Sequence, residues 1–162
     1  MTASAYKFKG ERIDFTQIEF PPENEKGKPM SEQLRGKTVL VVDDSNTIRK
    51  SAEIFLRQGG HLVVMAEDGF DALAKINSAQ PDLVFCDISM PRLDGYQTCA
   101  IIKSNPQYRE MPVVMLSSKD GVFDKARGRM VGAAHYLTKP FTKEQLLEVV
   151  QRYVANESQK TS

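Results

Sequence analysis

Two adjacent carboxylates, Asp43 and Asp44, close the aliphatic run Thr38-Val-Leu-Val-Val42. Neighbouring carboxylates repel, and partial burial penalises both charges. A hard divalent cation held through oxygen relieves that repulsion, and Mg²⁺ is the natural candidate. Alone, the pair serves as well to start and cap a helix through Asp44-Ser45. Three further runs bring complementary groups. Asp82-Leu-Val-Phe-Cys86 ends at Asp87, Pro112-Val-Val-Met-Leu116 ends at Ser117, and Ala134-His-Tyr-Leu137 leads to Thr138-Lys139-Pro140. An acid pair, a third acid, a hydroxyl and a lysine thus follow four strand-like runs. In a parallel sheet the carboxyl ends of strands share one edge, where such groups converge.

The elements that must position them alternate from Lys37 onward. Strand 38–42 precedes a helix from Ser45 to Gln58, with Ile48, Ala52, Phe55 and Leu56 at helical spacing and Gly59-Gly60 ending it. Strand 61–66 precedes a helix near 68–79 whose apolar positions are Phe70, Leu73, Ala74 and Ile76. Strand 82–86 follows Pro81. A helix then runs from Asp94-Gly95 to Ser104, and Asn105-Pro106 stops it. Strand 112–116, a helix near 121–131, strand 134–137 and a helix over 142–155 complete five strand–helix units. Short connections and right-handed crossovers predict an α/β doubly wound five-stranded parallel sheet with helices on both faces.

Residues 1–35 differ. They are rich in charge, and Pro21-Pro22 and Gly27-Lys28-Pro29 interrupt them. We read 21–35 as a flexible linker. Residues 6–20 offer a short strand, a docking peptide or a solvated extension. Composition favours the last, although Ile13, Phe15, Ile18 and Phe20 form a small apolar cluster. The expected divisions are therefore an extension over 1–35, one domain over 36–155 and a tail over 156–162.

Of the 162 residues, 41% are hydrophobic, enough for a sizeable core. The net charge of +1, from 22 basic and 21 acidic residues, gives no nucleic-acid footprint. No apolar stretch reaches the length of a membrane span, and the amino terminus has no signal-peptide core. The expectation is a cytoplasmic protein without membrane insertion. Cys86 and Cys99 make neither a disulfide framework nor a metal motif and read as small buried hydrophobes. His61 and His135 sit in strand-like runs and read as packed or half-exposed side chains rather than catalytic ones.

The order and spacing of Val41-Val42-Asp43-Asp44-Ser45, Asp87-Ile88-Ser89-Met90-Pro91 with Asp94-Gly95, Leu116-Ser117-Ser118 and Tyr136-Leu137-Thr138-Lys139-Pro140-Phe141 resemble the CheY-like receiver domains of two-component response regulators, over about residues 37–155. The stretches 90–99 and 117–125 are most similar to the PilG type, which serves type IV pilus twitching motility. The resemblance implies the flavodoxin-like strand order 2-1-3-4-5. It implies Asp87 as phosphoacceptor, and Mg²⁺ held by Asp44, Asp43, Asp87 and the backbone carbonyl of Ser89. Lys139 and Ser117 would meet the phosphoryl oxygens, and the Lys139-Pro140 bond could be cis. Ser117 and Tyr136 would form the switch, and Lys119 and Ser89 would flank the site and tune dephosphorylation.

The implied partners are a histidine kinase of a chemosensory system and a downstream effector protein. Only seven residues follow the domain, so output is expected to run through that effector or through the extension. The implied activity is limited to self-phosphorylation and autodephosphorylation, not enzymatic turnover of a substrate. Three alternatives stand beside this. A phosphohydrolase or phosphotransferase with an aspartyl nucleophile would want a second acid soon after Asp87, where Ile88-Ser89 stand instead. A phosphorylation-independent scaffold would not need the full set of acids, hydroxyl and lysine. A flavin-binding module of similar topology would want glycine-rich loops, which are not evident.

Overall fold

The computed structural model describes residues 6–8, 11–13, 36–118 and 122–154. The chain divides into two units, 1–35 and 36–162. In the first, β1 (Tyr6–Phe8) and β2 (Glu11–Ile13) pair antiparallel, with Tyr6 opposite Ile13 and Phe8 opposite Glu11. Aromatic and β-branched residues favour such pairing. Phe15, Ile18, Phe20, the linker over 21–35 and the tail over 156–162 lie outside the described residues.

The second unit alternates strand and helix. Its elements are β3 (Thr38–Val42), α1 (Asn46–Gln58), β4 (Leu62–Ala66), α2 (Gly69–Ala79), β5 (Leu83–Asp87) and α3 (Gly95–Ser104), followed by β6 (Val113–Ser117), α4 (Val122–Met130), β7 (His135–Thr138) and α5 (Lys143–Val154). The sheet is parallel throughout, in the order β4-β3-β5-β6-β7. Counted within this unit, that is the predicted 2-1-3-4-5.

The central strands are buried on both faces, so alternate residues feed two cores. Leu40, Val42, Val84, Cys86, Val113 and Met115 join Ala72 and Ile76 of α2 and Tyr96, Cys99 and Ile102 of α3. Val39, Val41, Leu83, Phe85, Val114 and Leu116 join Ala52 and Leu56 of α1 and Leu146, Val149 and Val150 of α5. Phe85 is fully buried in the middle of this second core. Phe85→Ala would cost about 3–5 kcal/mol, from lost burial and the cavity left behind.

Side chains start the helices. Ser45 caps α1 by accepting from the Ile48 N–H, and Asp68 caps α2 by accepting from the Asp71 N–H. Asp94 and Gln97 form a reciprocal capping box on α3, and Thr142 and Gln145 do the same before α5. Both cysteines are buried and free, as read.

One packing expectation fails. Phe70 and Ala74, placed on the apolar face of the second helix, are exposed, and Ala72 and Ile76 take the core positions. The Phe70 ring lies instead beneath the Arg92 guanidinium, 5.6 Å from its centroid. An aromatic flanked by a cation keeps part of its favourable environment at the surface.

Candidate functional site

The carboxyl ends of β3, β5, β6 and β7 bring together Asp43, Asp87, Ser117 and Lys139. Asp43 follows Val42 directly and is fully buried, while Asp87 ends β5 at 5% exposure. Asp44, one residue on, is exposed. One carboxylate oxygen from each of Asp43, Asp44 and Asp87 lies within 4.8 Å of the other two. Ser117, the last residue of β6, is 5% exposed, and its carbonyl accepts the Lys139 N–H at 2.6 Å. The Lys139–Pro140 peptide bond is cis.

Lys139 reaches back over this edge. Its Nζ lies 2.6 Å from Asp43 Oδ2 and 3.1 Å from Asp87 Oδ1. The Asp43 contact is a buried ion pair at hydrogen-bond distance, and Oδ2 has no other partner among the described residues. Oδ1 of the same carboxylate accepts the Ser45 N–H at 2.8 Å. The Ser89 N–H donates to Asp87 Oδ1 at 3.4 Å, a long contact from the loop after β5.

Burial, then the neighbouring Asp43 charge, raise the Asp87 carboxyl to about 6 against the pull of Lys139. For Lys139, burial works to lower the pKa, and the Asp43 and Asp87 carboxylates outweigh it, leaving the ammonium above its ordinary value. Three carboxylates against one ammonium leave two formal negative charges at the edge. Hard oxygen donors, a charge deficit and one exposed acid beside two buried ones suit a divalent cation of the Mg²⁺ type.

Steric fit fixes the floor of the site. A Cβ on Gly95 would stand 2.2 Å from the Asp87 carbonyl oxygen and 2.7 Å from the Ile88 Cα. Only glycine lets the start of α3 approach the end of β5 this closely, and the Gly95 N–H donates to the Ile88 carbonyl at 2.9 Å. The motif Asp94-Gly95 was visible in the sequence, but the contact that needs it was not.

Tyr136 is half-buried on β7, opposite Met115 in register, while Ser117 stands opposite Thr138. Residues two apart along a strand share a face, so Ser117 and Tyr136 project to the same side of the sheet. The Lys125 ammonium lies 5.7 Å from the Tyr136 ring centroid. Next to it, the Tyr96 hydroxyl donates towards Asp124, and the Arg127 guanidinium stacks 4.5 Å from the Tyr96 ring. Burial, then Asp124, push the Tyr96 phenol up to about 12. Sequence reasoning missed this tie between α3 and α4. Lys119 lies outside the described residues.

A family model described as the response regulator receiver domain matches residues 39–151. The chain belongs to the response regulator receiver family. It is 58% identical over 125 residues to Protein PilG of Pseudomonas aeruginosa, covering 77% of this chain and 93% of that protein. It is 40% identical over 109 residues to the response regulator MprA of Mycolicibacterium vanbaalenii. That match covers 67% of this chain but only 46% of MprA, so the chain spans less than half of that relative. Among solved structures, chemotaxis protein CheY4 of Vibrio cholerae superposes with a TM-score of 0.70 at 36% identity, over 73% of this chain and 98% of CheY4. Among the described residues, no helix is long and apolar enough to cross a membrane.

Proposed function

We propose that this receiver domain takes a phosphoryl group on Asp87 from a histidine kinase and thereby switches the binding of an effector protein. The observation that carries this is the juxtaposition of a buried Asp87, raised to about 6, with the Lys139 ammonium 3.1 Å away and two further acids beside it. At neutral pH Asp87 is ionised and nucleophilic. Its carboxylate oxygen attacks phosphorus, the new P–O bond forms an acyl phosphate, and the P–N bond to the kinase imidazole breaks. Lys139 is already held at the edge beside Asp87, so its charge is at hand for the incoming phosphoryl oxygens. Ser117 offers a hydroxyl to one of them. Asp43, Asp44, Asp87 and the Ser89 carbonyl would hold Mg²⁺, which when bound neutralises charge on the transferring group.

A phosphoryl group adds close to two negative charges and three strong acceptors. In this reading Ser117 moves towards it and Tyr136, on the same sheet face, turns inward, shifting a pre-existing equilibrium that changes the surface around β7. Similarity to PilG, together with the loop residues 90–99 and 117–125, supports a role in type IV pilus twitching motility or chemotaxis. We assign 1–35 as an extension, 36–155 as the receiver and 156–162 as a tail.

The test is labelling with a small-molecule phosphodonor and Mg²⁺. Wild type should form an acid-stable, base-labile adduct, and Asp87→Asn should form none. Wild-type labelling of the variant would end the assignment.

A further inference from the structure

The corner Asp43-Asp44-Ser45 must hold its shape for the acids to act together, and three of its groups have evident anchors. The Asp43 N–H donates to the Ala66 carbonyl at 3.2 Å, which ties it to the neighbouring strand. The Asp43 carboxylate accepts from Ser45 at 2.8 Å, and the Ser45 side chain caps α1. The Asp43 carbonyl is anchored from the helix side. It accepts from Arg49 Nη1 at 2.5 Å, while Nη2 of the same guanidinium donates to Asn46 Oδ1 at 3.3 Å. Arg49 lies one turn into α1 and is half-buried.

We propose that Arg49 is a positioning residue for the acid pair. The Asp43 carbonyl and the Asp44 N–H belong to one planar peptide unit. Holding the oxygen therefore sets the plane from which the Asp44 carboxylate projects. Asp44 is the exposed member of the three acids, the one whose direction burial does not fix. The guanidinium fork spans the corner, from the last residue before Asp44 to the first residue of α1, and braces it from the helix side. A lysine also has several donors, but they sit on one nitrogen, without the fixed two-nitrogen spacing and the reach of the planar fork, so it does not hold the two oxygens in the same geometry.

Charge alone predicts the opposite behaviour. A cation beside the acids opposes entry of a second cation, so removing it would strengthen divalent binding. Positioning predicts that removal weakens it. This inference rests on the metal reading above, and one experiment separates the two. Mg²⁺ is titrated calorimetrically into the full chain as wild type, Asp44→Ala, Arg49→Gln and Arg49→Lys at constant ionic strength. Melting temperatures are recorded in chelator.

Both Arg49 variants should lose about tenfold in Mg²⁺ affinity, the size typical when a group supporting a metal ligand is removed. Their metal-free melting temperatures should stay close to wild type. Arg49→Gln with equal or higher affinity, or Arg49→Lys at wild-type affinity, would overturn the positioning role in favour of charge. Lost affinity accompanied by a large fall in melting temperature would overturn it in favour of general stability. Wild type that takes up no Mg²⁺, or Asp44→Ala that binds as well as wild type, would overturn the metal reading and this inference with it.

Discussion

The Lys139 ammonium stands 2.6 Å from Asp43 Oδ2, and that carboxylate is wholly buried. A charge of this kind is tolerated only with a partner. Here the lysine expected to await a phosphoryl group also balances the acids while none is present. Lys139→Met keeps most of the stem and removes the charge. Breaking a buried pair costs about 3–5 kcal/mol. Asp87, already raised to about 6, can take up a proton and relieve part of that. The expected loss in chelator is therefore about 2–3 kcal/mol. Mg²⁺ should restore the melting temperature more in the variant than in wild type, because a divalent cation replaces the missing charge. Equal stability of variant and wild type in chelator would show that the ammonium does not balance the acids.

Gly95 yields a second expectation. A methyl group at this position meets backbone atoms of Asp87 and Ile88, which cannot rotate aside as a side chain would. Gly95→Ala should therefore push α3 away from the end of β5, at a cost of about 1–3 kcal/mol. Helix propensity alone would predict stabilisation by alanine. Denaturant melts give the sign. A phosphodonor labelling rate measured on the folded fraction reports whether Asp87 has shifted, and it should fall.

The five-stranded parallel sheet and the convergence of Asp43, Asp87, Ser117 and Lys139 were legible because they depend on local patterns, whereas the strand order came from the family resemblance. Aliphatic runs of five or so residues mark buried parallel strands, and topology sends their ends to one edge. Element ends also fell within a residue or two, because Ser45, Asp68, Asp94 and Gly59-Gly60 announce themselves. What the sequence hid depends on contacts between distant residues. Phe70 has the spacing of a core residue, yet it stays exposed and meets Arg92 from the loop after β5. Tyr96 meets Asp124 across 28 residues, and no periodicity encodes that. The Lys139 pairing with Asp43 follows from the fold of two strand ends and was not foreseen. Arg49 looks like any charged residue in a helix until the Asp43 carbonyl is found beneath it.

The division of the chain between Arg35 and Gly36 sets where a truncation should fall. Gly36 must stay, since a Cβ there would stand 1.8 Å from the Gly60 carbonyl oxygen and the two backbones are therefore closely packed. Removing 1–35 should leave a domain that still labels on Asp87. Its melting temperature should lie within about 3 °C of the full chain, a change of under 1 kcal/mol. A larger fall would mean that the extension contributes to the stability of the receiver, and failure to fold would move the boundary.

His61 gives the pH dependence its sign. Its Nδ1 accepts the Lys37 N–H at 3.1 Å, so that nitrogen carries no proton in the folded chain. Burial, then the nearby Lys37 charge, lower its pKa below the usual 6.5. The unfolded chain therefore takes up the proton first as pH falls. More protons on the unfolded state mean that stability declines with acidification. The contribution is present above pH 6.5 and is lost as pH drops from there towards the lower native value. The ring is half-exposed, so the effect should be small, on the order of 0.5 kcal/mol, the lower end for one hydrogen bond. His135, lowered chiefly by burial, acts in the same sense as His61, and Asp87, raised to about 6, acts with the opposite sign, because its raised pKa favours the protonated folded state. A difference measurement removes both. Asn at position 61 can offer Oδ1 where His61 offers Nδ1, and it does not titrate. Urea midpoints of wild type and His61→Asn should agree at pH 7.5 and diverge at pH 5.5, with wild type the less stable. Parallel midpoints across that range would show that the Lys37–His61 hydrogen bond survives protonation and contributes no pH sensitivity.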